Sequence, residues 1–463
     1  MSKTNLFSVF EPVSVKQWKQ KIQVDLNGAD YNQELVWESL EGIKVKPFYT
    51  KDDVTGLTSF PLPENHRWYI GQNIYAGNTK AANKKAKDVI QRGANALIFD
   101  IPDSDVDWSI LFDNIPLDST PLQLNVHFLE MAPLQRLKEF IGQKSCKIYL
   151  HLDIIGNLAQ TGNWYHNLKD DHKLMEEVVQ LMNTNTNASI LSIDTTLYQN
   201  AGANMIQQLA YGLAHANEYL NHFNQELQGA KEKKVVFKVG IGPNYFFEIA
   251  KLRAFRWLWK TLAKAYDLTK DCHILATPSK RNKTLYDYNV NMLRTTSESM
   301  AAVLGGADTV CNLPYDAIYH KDNEFGERIS RNQLLLLKEE SYLNEAVKAS
   351  EGTYYIEVLT KQLAEKALDL FKRIEASGGF LRELKKGTIQ KKIKESAAKE
   401  QAMFDEGKLV LLGTNKYQNP DDRMKENLEL FPFLKQKTRK TLIPPILEKR
   451  LAETLEQNRL KEE

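Results

Sequence analysis

Cysteine is scarce in this chain. There are three in 463 residues, Cys146, Cys272 and Cys311, and none stands in a C-x-x-C pair. That excludes a disulfide framework and the usual zinc signatures. Each lies in or beside an apolar, strand-like run, so all three are expected as buried thiols in a reducing compartment. Long apolar runs are missing too. Nothing approaches the ~18 apolar residues of a membrane span, and the opening MSKTNLFSVFEPVSVKQWKQ lacks the apolar core of a signal peptide. A cytoplasmic protein with no membrane partner is expected. Nor does one charge dominate: 61 Lys and Arg stand against 59 Asp and Glu, a formal net charge of +2, so there is no global pull towards nucleic acid. The lysine pairs at 84–85, 385–386 and 391–392 fall inside helical patterns and read as solvated faces. Finally, no G-x-G-x-x-G or G-x-x-x-x-G-K-[ST] follows a strand, and there is no G-x-S-x-G or H-E-x-x-H. The usual signs of a dinucleotide fold, a P-loop, a nucleophile elbow and a zinc helix are therefore absent.

What is present is a rhythm. Strand-like runs occur at 68–76, 96–102, 121–128, 146–153, 190–196, 234–241, 272–278 and 308–314. Helix-period patterns fill most of the gaps: Lys80–Gln91, Pro133–Ile141, Lys173–Met182, Ala203–Leu227, Tyr245–Tyr266, Leu285–Leu304 and Arg328–Tyr342. The short, Asp-rich gap at 103–120 is the weakest. Alternation of this kind predicts a parallel sheet, and eight strands predict closure into a (β/α)8 barrel of roughly 250 residues. An open doubly wound sheet is the rival. Before the rhythm, residues 1–65 read as an arm that lies on something else. Val15, Trp18, Ile22 and Leu26 recur at helical spacing with Ser14 as N-cap, and the Pro-bounded FPLPENHR closes the segment. The barrel spans 66–345. Residues 346–463 form a helical, linker-like extension with helices at Tyr354–Ile374, Ile389–Glu406 and Ile446–Lys461.

In such barrels functional side chains gather at the C-terminal ends of the strands. Those positions hold Tyr75, Asp100, His127, His151 with Asp153, Asp194, Lys238, Thr277 with Ser279, and Asn312. Taken alone, His127, His151, Asp153 and Asp194 could form a metal-assisted hydrolase centre, since imidazole and carboxylate suit Zn, Mn or Fe. The x-spacing of His151 and Asp153 points both to one face. The plainer reading is that each hydrogen-bonds a nearby loop. Cys272 and His273 are adjacent, so on a strand they face opposite ways and do not cooperate.

Four stretches carry more than this. GIGPNYFFEIAKLRAFRWLWKTLAKAY (240–266), RTTSESMAAVLGGADTV (294–310), FGERISRNQLLLLKEESYL (325–343) and GKLVLLGTNKY (407–417) closely resemble the adenosylcobalamin-dependent acyl-CoA mutases, the methylmalonyl-CoA mutases above all. The segment LNGADY to WESLEGIKVKPFY looks like that family's entry arm. The likeness runs from about Trp18 to Tyr417.

The resemblance implies the same barrel, followed in catalytic chains by a flavodoxin-like cobalamin domain with an axial histidine in D-x-H-x-x-G. No such motif occurs here. A partial match, Asp170-Asp171-His172, has Met175 in place of the glycine, and the chain ends at Glu463, soon after GTNKY. Catalytic members read roughly I-S-G-Y-H-M-Q-E-A-G at the stretch that is ILSIDTTLYQNAGAN (190–204) here. Aligned on Ala201-Gly202, the family's Tyr falls on Thr196 and its His, which bonds the thioester carbonyl, on Leu197. Leucine can neither donate nor accept a hydrogen bond. The family's coenzyme A-binding R-T-H-S run corresponds to Ala276, Thr277, Pro278 and Ser279. Tyr75, in YAG, matches a family tyrosine.

The resemblance therefore implies a small, non-catalytic subunit. It would support interconversion of (R)-methylmalonyl-CoA and succinyl-CoA by a homologous large subunit that binds the adenosylcobalamin. Tyr75, Thr277 and Ser279 would be substrate-binding remnants, and no cofactor or metal is expected on this chain. The arm and a buried flank of the barrel are the expected interface, with Trp18, Trp37, Trp257 and Trp259 as candidate anchors, although Trp257 and Trp259 equally suit helix-to-sheet packing. Two other readings stay open: the catalytic barrel of a split mutase served by a separate cobalamin-binding subunit, and a metal hydrolase on His127, His151 and Asp153. A regulatory barrel that holds acyl-CoA without turning it over is also compatible with Thr277 and Ser279.

Overall fold

The computed structural model describes all residues except 1–7, 12, 58–60, 64–65, 143, 184–187, 224–233, 270 and 436–438. Phe60, Glu64 and Asn65 of FPLPENHR, and the end of the Ala203–Leu227 pattern beyond Phe223, thus lie outside the described residues.

Eight parallel strands close on themselves: β1 (Tyr69–Tyr75), β2 (Ala96–Ile101), β3 (Leu122–Val126), β4 (Ile148–Leu152), β5 (Ala188–Asp194), β6 (Val236–Ile241), β7 (His273–Pro278) and β8 (Thr309–Cys311). Closure is made by β8 pairing with β1, with Thr309 opposite Tyr69 and Cys311 opposite Gly71. The barrel expected from the alternation is what forms, and the open sheet is not. The physical reason lies in the strands' outer faces. Leu97, Phe99, Leu124, Leu150, Ile193, Phe237 and Ile274 are all buried against the helices, so each strand needs a helical cover, and parallel order supplies one per crossover.

The covering helices used below are α1 (Thr79–Gln91), α2 (Met131–Ile141), α3 (Leu168–Asn183), α4 (Met205–His222), α5 (Tyr245–Ala265), α6 (Val290–Leu304) and α7 (Glu324–Leu335). The Asp-rich gap after β2 holds only the short helix Trp108–Leu111. Two expected helices start late: Leu285–Leu304 begins at Val290, and Ile446–Lys461 begins at Glu453. In both cases the preceding residues are tied to other parts of the chain. Leu285 N–H donates to Glu456 at 2.8 Å, and Ile446 N–H to the Ala159 carbonyl at 2.8 Å.

Before the barrel, part of the chain packs on the barrel helix α5 and on the extension. The arm's helix Val15–Asp25 carries the capping box at Ser14 and Gln17, and none of its residues is buried. Farther on, Ile43 and Val45 are buried, Trp37 packs on Phe247 of α5, and Tyr49 packs on Tyr355. Beyond the barrel, α8 (Tyr354–Ala376) packs against α4 and α5, a short helix Phe380–Lys385 follows, and then α9 (Thr388–Asp405). Residues 439–452 then return across the C-terminal mouth as an extended strap. Leu442 and Ile443 N–H both donate to the Gly162 carbonyl, Lys449 N–H to Asn200, and Leu451 N–H to Arg281. Gly162 sits at φ +79°, and a Cβ there would stand 2.6 Å from the Ile443 carbonyl. The strap therefore requires glycine at that turn.

Candidate functional site at the barrel mouth and axis

Alternate residues of each strand face the axis. Near its middle they form a small apolar cluster, Ile98, Leu275 and Cys311, separate from the main core. Gly71 completes this layer; a Cβ on it would come within 2.7 Å of Ile98 Cδ1.

Inward side chains of β3, β4, β5, β7 and β8 are polar and joined into one chain. Ser192 Oγ donates to His151 Nδ1 at 2.7 Å, and His151 Nε2–H donates to Gln123 Oε1 at 2.9 Å. The Gln123 amide donates onward to His273 Nε2 at 3.3 Å and Thr309 Oγ1 at 3.2 Å. Thr309 Oγ1–H in turn donates to His273 at 3.1 Å, and Tyr149 stacks on the His273 ring at a 4.2 Å centroid separation. Gln123 is on β3 and His273 on β7, which face each other across an eight-stranded ring. Their hydrogen bond therefore crosses the axis. All six side chains are buried.

This donor order works only with both imidazoles neutral. Burial, reinforced by Lys238 and His273, pulls His151 well below the ordinary histidine range. Burial likewise pulls His273 down to about 4, against the upward pull of Asp308.

Above this layer the strand ends are polar. Lys238 Nζ pairs with Asp194 and reaches Asn125 Oδ1 at 3.4 Å. Burial pulls Lys238 down, but Asp194, helped by Asp100 and Asp153, outweighs it and the net shift is upward. His127 pairs with Asp100, and both are partly exposed. Tyr75 is 58% exposed and lies over Gly77. Thr277 is half-buried at the end of β7. Ser279 is buried one turn on, donating to Asn200 Oδ1 at 3.2 Å and accepting from Arg281 N–H at 3.1 Å.

The stretch 190–204 runs from β5 into a one-turn helix, Thr196–Asn200. Thr196 caps back onto Asp194, its N–H donating at 3.0 Å. Leu197 is buried and, together with Ile446 of the strap, lines a cavity under it. The next residue, Tyr198, donates its hydroxyl to His215 Nδ1 at 2.9 Å.

The metal-hydrolase constellation does not assemble. His151 belongs to the axial chain, His127 to Asp100, and Asp194 to Lys238. Asp153 starts the helix Ile154–Thr161 as its N-cap, with Gly156 N–H at 2.7 Å. It also accepts from Tyr219 Oη at 2.7 Å and meets His215 Nε2 at 2.9 Å. Burial would raise the Asp153 pKa, but His215, Tyr219 and Gly156 together hold it below the usual carboxylate range. One residue past the strand end, Asp153 turns out towards α4, so the expectation that it shares a face with His151 fails. Among the described residues no group of three His, Cys, Asp or Glu is placed to hold a metal. The three cysteines are free and buried, as expected. Of the proposed aromatic anchors, Trp18 and Trp37 are half-exposed, whereas Trp259 is buried against Phe237 and serves packing.

Gln123, Ser192, His273 and Thr309 were not singled out from the sequence as site residues. The signal was there. Polar residues recur at every second place in otherwise apolar runs, as in Gln123-x-Asn125, Tyr149-x-His151 and Ser192-x-Asp194, which marks one polar face on each strand.

The architecture is thus an α/β barrel of the eight-fold kind, with its axis crossed by side chains. Comparison with known proteins narrows the class. A family model described as methylmalonyl-CoA mutase matches residues 102–458. The methylmalonyl-CoA mutase small subunit of Porphyromonas gingivalis is 34% identical over 445 residues, covering 90% of this chain and 72% of that one. The methylmalonyl-CoA mutase of Cereibacter sphaeroides is 28% identical, covering 86% and 64%, and the large subunit from Streptomyces virginiae 28%, covering 90% and 64%. This chain therefore spans a little under two thirds of the latter two. It belongs to the methylmalonyl-CoA mutase family.

Proposed function

We propose that this chain is the small, non-catalytic subunit of a methylmalonyl-CoA mutase, acting by association with a homologous large subunit. The observation that carries the reading is the Gln123–His273 bond across the barrel axis. An acyl-CoA whose pantetheine arm threads such a barrel has no path past it. The second support is Leu197, which offers no hydrogen bond where the resemblance places the thioester-binding histidine. The name of the P. gingivalis relative supports it as well. In this reading Tyr75, Thr277 and Ser279 are remnants of a substrate site. The arm, with Trp18 and Trp37, meets the partner, and the complex works in the cytoplasm as an isomerase.

The residues described do not fit adenosylcobalamin. Of the two D-x-H histidines, His172 donates Nδ1–H to the Leu168 carbonyl at 2.7 Å within α3 and packs on Trp164, and His273 is buried in the axial chain. His172 stands on the barrel's outer layer. The cofactor is accordingly assigned to the large subunit. The test is turnover of methylmalonyl-CoA by this chain alone, by the large subunit alone, and by the co-purified pair. The pair should be active and the isolated chain inactive with added adenosylcobalamin. Turnover by the isolated chain would end the proposal.

A further inference from the structure

A second cavity, of about 260 Å³, lies outside the barrel wall. The arm closes it on one side, with Trp37 to Glu41. The loops after β5 and β6 form its floor, and α9 and Leu451 its far side. Its surface is mostly apolar, from Leu40, Met205, Met403, Leu409 and Leu451, the makeup of a small-molecule site rather than a hydrated crevice.

The carboxylates on this wall differ in one respect. Glu248 is paired with Lys251 at 2.6 Å, and Glu400 pairs with Arg281. Glu38 is exposed at the rim. Glu41 alone is partly buried and makes no ion pair among the described residues. Its Oε1 accepts only a 3.3 Å bond from Met205 N–H, besides help from Ser39 and its own backbone. Burial raises its pKa, and this outweighs the lowering by the hydrogen bonds from Ser39, its own backbone and Met205; the charge of Glu248 adds to the rise. A carboxylate withdrawn from water beside another negative charge is costly unless a cation joins it.

We infer that this cavity binds a small organic cation with an apolar body, its ammonium or guanidinium group on Glu41 and its hydrocarbon among Leu40, Met403 and Leu409. A hard metal ion suits it poorly, because such ions need several oxygen ligands and the carboxylates of Glu248 and Glu400 on the same wall are already held by Lys251 and Arg281. An anion is opposed by the sign of the charge. The site is independent of the axis, so it stands or falls apart from the proposed subunit role.

The experiment is calorimetric titration of the full chain with benzylamine, which is protonated at neutral pH, and with benzyl alcohol, its neutral isostere. Benzylamine should bind saturably and at least roughly tenfold more tightly than the alcohol. Glu41→Gln should remove that preference while keeping or raising the melting temperature, since it deletes an unpaired charge. Met403→Trp, which fills the cavity and leaves the carboxylate, should abolish binding of both. No saturable binding, equal affinity for the two probes, or an unchanged preference in Glu41→Gln would overturn the inference.

Discussion

Gln123→Leu is the perturbation that most directly probes the barrel interior. The wild-type amide makes three hydrogen bonds and is fully buried. Leucine has a similar volume, so little cavity forms. Of the partners left behind, Thr309 and His273 still bond each other at 3.1 Å. His151 does not recover. Its Nε2–H faces hydrocarbon, and switching tautomer towards Ser192 only exchanges an orphan donor for an orphan acceptor. One buried unsatisfied group costs about 1–3 kcal/mol, and each lost bond about 1 kcal/mol net. Partial compensation by apolar burial leaves an expected loss of about 2–4 kcal/mol. Urea unfolding followed by circular dichroism measures it from the midpoint at constant slope. In a double-mutant cycle with His151→Leu, the two substitutions should couple by about 1–2 kcal/mol, because the second removes the group orphaned by the first. A Gln123→Leu protein within about 0.5 kcal/mol of wild type, with no coupling, would refute a hydrogen-bonded bridge across the axis.

Acid should weaken the fold ahead of general carboxylate titration. His273 is held at about 4 in the folded protein against 6.5 for the free group, so the unfolded chain takes up the proton first as pH falls. Stability is therefore complete above about pH 6.5 and declines towards pH 4. His273 alone accounts for about 2–3 kcal/mol by pH 4.5, and urea midpoints at pH 7.5 and 4.5 give the comparison. Phe380→Ala should cost about 3–5 kcal/mol, because the ring is fully buried and stacks on His215 at 5.3 Å; a loss under 1 kcal/mol would mean that the extension does not hold that network in place. The double variant Thr196→Tyr, Leu197→His should leave the isolated chain without isomerase activity, since the axis stays crossed by Gln123 and His273. Methylmalonyl-CoA turnover by that variant would contradict the structural reading of the axis.

The strands were legible because their signal is local. Apolar runs such as Ala96–Ile101 and Val236–Ile241 are bounded by turn residues, and the Ser14 capping box sits in four consecutive positions. The strap at 439–452 was not legible. Its hydrogen bonds go to Gly162, Asn200 and Arg281, more than a hundred residues away, and nothing periodic marks them, so Ile446–Leu451 read as the start of a helix. The facing of Asp153 was misread for a related reason. Its role as an N-cap, and as the partner of His215 and Tyr219, depends on a helix that follows β4 at once and on a distant turn of α4. The stretch at 190–204 was placed correctly as a strand end handing over to a helix. Only the structure showed that Leu197 turns under the strap, while Ser192 from the same stretch anchors the axial chain.

The central claim is that this barrel takes no acyl-CoA through its axis and serves a partner that does. The direct measurement is the stoichiometry of methylmalonyl-CoA binding to the assembled pair, by calorimetry or equilibrium dialysis. One acyl-CoA per heterodimer is the predicted result. Two per heterodimer, with the second lost on mutation of Tyr75 or Thr277, would contradict it.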